Sequence, residues 1–242
     1  MLKEAIEKIV DLAGVKFIVS DGITYADRDL VQVRPVLDLP ETKPLTSLDA
    51  IIKLVKTEAL PILKATPLYI TIPTCERVEC FTSVFESKRN ERVMLYSAVA
   101  TDVPGWSPET KLPFEQASIA LQTRFQHTAD RDYALRLCSQ ITTGGKVTYN
   151  DNGVATSIVT QKGVALQGTE TIRPLIKLKP YRTFQEVDQP ESTFLIRIDE
   201  RGISFIEADG GMWKLDARKT IKAYLEDQLS EYVEAGKVIV AL

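Results

Sequence analysis

The hexapeptide CERVEC, Cys75 to Cys80, sets two thiols around two carboxylates and a guanidinium, a composition that could hold a metal or run a redox step. Its spacing argues against both. Five residues at about 100° each leave Cys75 and Cys80 roughly 140° apart on a helix, and an odd separation puts them on opposite faces of a strand. Neither arrangement brings both sulfurs to one ion, and a tetrahedral set would have only the single histidine, His127, to draw on. Unpaired cysteine is often a small buried apolar residue, and that is the reading for Cys75 and Cys80.

The other chemical candidates are equally incomplete. His127 stands just before Thr128, between two helical patterns, and no G-x-S-x-G elbow supplies a nucleophile for it. TTGGKVT at 142–148 has glycines before a lysine, but a phosphate loop would need glycine where Gln140 stands and Ser or Thr where Val147 stands. A helix C-cap entering a hairpin accounts for those glycines. FIEADGG offers Glu207 and Asp209 as a pair for a hard cation, against the simpler reading of Asp-Gly-Gly as a turn. Trp106, Lys179, Tyr181, Arg182, Phe184, Trp213 and Lys214 combine aromatics with cations, the mixture that holds single-stranded nucleic acid, although the commoner fate of such residues is to cover a core edge or a subunit interface. No catalytic residue, metal ligand or cofactor site is assigned.

The composition frames these readings. With 242 residues, 44% hydrophobic and 26% charged, the chain can bury a sizeable core. A net charge of −3 without like-charge blocks disfavours a broad duplex-binding surface. Three cysteines make no disulfide framework, and neither a membrane span nor a signal peptide is legible, so a cytoplasmic protein is expected.

The positioning elements follow from periodicity. Residues 2–13 read as an amphipathic helix closed by Gly14, and KFIVS and DLVQVRPVLDLP as extended. TSLDAIIKLVKTEALP is a helix capped by Ser47, and PLYITIP and ERVMLYSAVA are strands. Between those strands, Thr74 as a cap and Val78, Phe81 and Phe85 at helical spacing predict a helix, hence a strand-helix-strand crossover. PFEQASIALQTRFQ, with Pro113 at its first turn, and ADRDYALRLCSQIT, capped by Thr128, predict an αα-hairpin. KVTYNDNGVATSIVTQKG turns at Asp151-Asn152-Gly153, STFLIRIDERGISFIEADGG turns near Arg201-Gly202, and a helix at about 216–233 precedes KVIVAL. The expected fold is one α+β domain over 1–242: a mixed β-sheet with the strand-helix-strand unit, the αα-hairpin, antiparallel C-terminal hairpins and a C-terminal helix. Residues 1–66 form an extension packed on a 67–242 core in this reading.

In order and texture, VRPVLDLP, TSLDAIIKLV, PLYITIP-helix-ERVMLYSAVATDV, PFEQASIAL, ADRDYALRL, KVTYNDNGVATSIVTQKG, PYRTFQEVD, STFLIRIDE and ISFIEA resemble the YfdQ-like family of phage and prophage proteins, over roughly residues 30–235. PGWSPETK is a shortened form of that family's aromatic-rich segment. The resemblance implies an early phage accessory protein of a bacterial cytoplasm that works by binding. It carries over no catalytic residue, since the family has no established one. With no complete catalytic motif, the expected function is binding and self-association as a homo-oligomer, directed at host machinery or defence. The alternative is a nucleic-acid accessory of phage recombination or replication. A divalent-cation enzyme using Glu207 and Asp209 ranks last.

Overall fold

The structure is a computed structural model that describes residues 2–14, 17–20, 23–26, 41–63, 67–83, 92–107, 110–143, 147–151, 156–162, 165–199 and 201–242. The chain falls into two compact units, Met1–Leu39 and Pro40–Leu242. The smaller unit holds helix α1 (Leu2–Ala13) and a hairpin of β1 (Phe17–Ser20) and β2 (Ile23–Ala26), paired antiparallel from Phe17↔Ala26 to Ser20↔Ile23. The expected strand DLVQVRPVLDLP lies outside the described residues. The units divide at 39–40 and not at 66, because residues 43–63 are built into the larger unit's sheet and core.

The larger unit opens with β3 (Lys43–Leu45) and α2 (Leu48–Leu54). Ser47 caps α2 as its sequence predicts, its hydroxyl accepting from the Ala50 N–H at 3.2 Å. A π-helical turn over Val55–Ala59 continues α2 into α3 (Leu60–Leu63). Strands β4 (Leu68–Thr74), β5 (Arg77–Thr82) and β6 (Met94–Val99) then form an antiparallel meander.

This meander corrects the strand-helix-strand expectation: 77–82 is a strand, not a crossover helix. Val78, Cys80 and Thr82 are buried while Arg77, Glu79 and Phe81 are not, a period of two that the Val78–Phe81 spacing disguised as helical. Thr74 does cap, but it caps a turn. Its Oγ1 accepts from the Glu76 N–H at 3.2 Å, and Thr74 pairs with Arg77 across Cys75-Glu76. Phe85, the third residue of the expected stripe, lies outside the described residues.

Next come α4 (Phe114–Arg124), with Pro113 at its N-cap, and α5 (Ala129–Thr143), whose first turn is held by Thr128 Oγ1 accepting from the Arg131 N–H at 3.1 Å. β7 (Val147–Asp151), β8 (Thr156–Lys162) and β9 (Ala165–Thr171) make one antiparallel sheet. The Gly144-Gly145 cap and the Asn152-Gly153 turn lie outside the described residues. β10 (Leu175–Leu178), β11 (Ser192–Asp199) and β12 (Gly202–Glu207) make another, followed by α6 (Trp213–Gln228), α7 (Ser230–Glu234) and β13 (Val238–Ala241). Gly236, at φ 67°, supplies the left-handed residue that ends α7 and turns the chain into β13.

β13 lies parallel to β4, and β3 parallel to β6, which closes a five-stranded mixed sheet in the order β13-β4-β5-β6-β3. The fold is α+β, with two cores. In one, Leu48, Ile51, Ile221 and Leu225 of α2 and α6 pack against Leu68, Ile70, Val78, Cys80, Val238 and Val240 of that sheet. In the other, Ala117, Leu121, Leu137 and Ile141 of the α4–α5 pair pack on Ile176, Phe194, Ile196 and Phe205 of the three-stranded sheet.

Candidate functional site

A connection of irregular backbone, 179–191, joins β10 to β11 and carries four of the seven aromatic and cationic residues singled out in the sequence. Irregular backbone can be buried only if its polar groups are satisfied. Gln189, almost wholly buried, does this from within. Its Oε1 accepts from the N–H groups of Arg182 (2.9 Å) and Thr183 (3.2 Å), and its Nε2 donates to the carbonyls of Phe184 (2.9 Å) and Val187 (3.3 Å). The outer bonds anchor the segment to its neighbours: the Gln126 N–H donates to the Lys179 carbonyl, and the Tyr181 N–H to the Arg124 carbonyl. Buried Thr183 donates its hydroxyl to the Cys75 carbonyl, tying the segment to the β4–β5 turn.

Arg182 leaves this segment toward the start of α6. Its side chain is 10% exposed, its Nη1 pairs with Glu207 Oε1, and its guanidinium carbon lies 4.4 Å from the Trp213 ring and 5.4 Å from the Phe194 ring. Burial holds the guanidinium's pKa below its ordinary value, with the Glu207 carboxylate opposing that shift. Nε and Nη2 of Arg182 are buried without a hydrogen-bond partner among the described residues, and the faces of Trp213 and Phe194 compensate the guanidinium; Nε1 of Trp213 is likewise buried without a partner among them. Trp213 also packs on Cys75 and Ala217, and the Lys214 Nζ stands 5.8 Å from its ring. Burial raises the Cys75 thiol's pKa, and Glu76 beside it adds to the effect.

The seven residues therefore do not form one surface. Arg182, Trp213 and Lys214 come together. Phe184 is buried in the core of the five-stranded sheet, and Trp106 packs edge-on against Phe125 (4.8 Å) beside the other core. Lys179 pairs with Asp188 at 2.6 Å, and Tyr181 is half-buried. Glu207 is committed to Arg182, while Asp209 Oδ1 accepts from the Gly211 N–H at 3.0 Å in the turn that Asp-Gly-Gly predicts. His127, at the α4–α5 junction, is exposed and pairs with Asp132 at 3.1 Å. Among the described residues no group of three or more His, Cys, Asp or Glu could hold a metal ion, and no helix is long and apolar enough to cross a membrane.

On the other side of Phe184 the same segment walls a cleft of about 410 Å³. Thr46 and Ser47 before α2 line it, with Thr101 and Asp102 after β6 and Gln185 and Glu186 of the segment. Glu186 Oε1 accepts from the Leu48 N–H at 2.7 Å, so this carboxylate and Ser47 share the cap of α2. Gln185 Nε2 donates to the Asp102 carbonyl at 3.1 Å, and Asp102 holds φ 58°. Sequence reasoning missed Asp102, Glu186 and Gln189, because no spacing rule links loop residues that come together only through the fold. The polar cluster QEVDQ beside the picked aromatics was the single available hint.

Compared with protein families, with curated proteins and with solved structures, the chain finds no match.

Proposed function

We propose that the protein acts by binding rather than catalysis, and that it self-associates by pairing β13 of one copy antiparallel with β13 of another. The observation that carries this reading is the contrast between β13 and the other edges of the two sheets that build the cores. Edge strands expose unpaired N–H and C=O groups, and soluble proteins blunt them with lysine, proline or a covering segment. β3 carries Lys43 and Pro44 on the far edge of the five-stranded sheet. β12 is covered by Leu112, which exchanges both backbone bonds with Ile203 at 2.9 Å. β10 gives its Lys177 N–H to Asp130 Oδ2 at 2.8 Å, and prolines 174 and 180 flank it.

β13, with the sequence VIVA, carries no lysine or proline within the strand, Lys237 standing just before it, and among the described residues no segment pairs with its outer edge. Val238 and Val240 face the core, leaving Ile239 on the opposite face, 40% exposed, in register with Tyr69 and then Phe81. Two four-residue strands alone bury less than the roughly 1,200 Å² of a stable interface, so Ile239 and that half-buried row must contribute area. The association expected is reversible, with a Kd on the order of micromolar. The resemblance to YfdQ-like proteins supplies the setting: a phage or prophage accessory directed at host machinery or a host defence. Nucleic-acid binding ranks behind it because Arg182 is already paired with Glu207, while Trp106 and Phe184 sit in separate cores. Light scattering on the eluting protein tests the reading. A concentration-dependent mass above the monomer that Ile239→Lys returns to the monomer is the expected outcome, and a clean monomer at tens of micromolar rejects it.

A further inference from the structure

We propose that the cleft between α2, the end of β6 and the 179–191 segment binds an alkyl chain ending in an ammonium or guanidinium group. The cleft's volume of about 410 Å³ lies within the range of small-ligand sites, roughly 300–1,000 Å³. Among the described residues its lining contains two carboxylates, three hydroxyls and no lysine or arginine. Two of the N–H donors at the adjacent helix start are already taken, that of Leu48 by Glu186 and that of Ala50 by Ser47. Tyr224 donates its hydroxyl to Asp49 Oδ1 at 2.6 Å in the first turn of α2, and its phenol is pushed up to about 12, first by that bond, then by burial and by the carboxylates of Asp49, Glu186 and Asp227.

Asp102 is the group left to meet the cation. Its carboxylate has no hydrogen-bond partner among the described residues, while its carbonyl is fixed by Gln185. Ala100, half-buried in the cleft wall, offers apolar surface for the alkyl stem, and the hydroxyls of Thr46 and Thr101 can accept remaining N–H bonds. Such a group reaches the cleft either as a free amine or as a lysine or arginine side chain of another protein. This inference is independent of pairing through β13.

Calorimetric titration of the full chain with agmatine, and separately with the peptide acetyl-Gly-Arg-Gly-amide and its citrulline counterpart, tests the proposal. Saturable binding of at least one charged probe is expected, with the citrulline peptide silent. Agmatine alone identifies the free amine, and the peptide identifies a protein side chain. Asp102→Asn should weaken binding about tenfold, the loss of one charge-assisted contact. Asparagine tolerates the positive φ, so the variant keeps the backbone. Thr101→Arg, which tethers a guanidinium in the cleft and leaves both carboxylates in place, should abolish probe binding. Failure of both charged probes to bind at ~10 mM, or undiminished binding in Asp102→Asn or Thr101→Arg, overturns the proposal.

Discussion

Arg182 shows how a residue picked for one chemistry serves another. Its charge is enclosed by Trp213 and Phe194 and answered by Glu207, so removing it leaves a largely buried carboxylate without its partner. Arg182→Ala should therefore lower the unfolding free energy by about 2–4 kcal/mol, read from urea transitions. Arg182→Ala combined with Glu207→Gln should recover part of that loss, and equal losses in the single and double variants would show that the pair is not coupled. The thiols predict a pH dependence. Burial pushes Cys80 up to about 12 and Cys138 up to about 11 from 9.0, so the native protein keeps these protons while the unfolded chain releases them. Their contribution is intact below pH 9 and falls as pH rises from there toward 11–12, by about 1.4 kcal/mol per pH unit for each thiol. Cys80→Val should make the urea midpoint decline less steeply above pH 9, and an unchanged slope would contradict the burial argument. Cys75 and Cys80 are buried, as their reading as small apolar residues expects from their spacing, the single histidine and the usual fate of unpaired cysteine; Asp102 and Glu186 were not legible, because an acidic residue in a loop looks the same in sequence whether it faces bulk water or a cleft.

At the scale of elements, the helices were the readable part. Ser47 and Thr128 announced α2 and α5 because a cap is a local interaction between neighbours in sequence. β5 was misread because six residues hold less than two helical turns, too few for Val78 and Phe81 to distinguish a period of 3.6 from one of two. Both sequence length and pairing partners decide that case, and the partners β4 and β6 act through tertiary contact. The 179–191 segment is the element whose order depends most on one side chain. Gln189→Ala strips acceptors from the Arg182 and Thr183 N–H groups and should cost about 2–3 kcal/mol, with the 182–187 amides exchanging faster; a loss below about 0.5 kcal/mol would refute its role as organiser. The β11–β12 turn makes a comparable demand. Gly202 holds φ 142°, and a Cβ there would stand 2.0 Å from the Leu112 carbonyl oxygen. Gly202→Ala should cost about 2–4 kcal/mol in urea unfolding through both strain and displacement of the Leu112 bridge, and a neutral result would mean that Leu112 does not hold that edge.

In the larger unit, two cores share one chain, and both edge strands of the three-stranded sheet over the second core, β10 and β12, have partners on their outer sides. The α+β class was legible because each element carried its own period, whereas the parallel placement of β13 beside β4 was not, since it depends on α6 crossing the sheet between strands far apart in sequence. That placement creates the open edge on which the proposed function rests. In a parallel strand, alternate residues point both N–H and C=O to the same side, so within 238–241 one alternate pair of amides bonds to β4 and the other faces outward. Residue-resolved hydrogen exchange across a protein concentration series measures that outer row directly. Self-association through β13 predicts that the outward amides exchange freely when dilute and gain protection together as concentration rises, in step with the mass. Rapid exchange of those amides at every concentration, or association that leaves them unprotected, would contradict it.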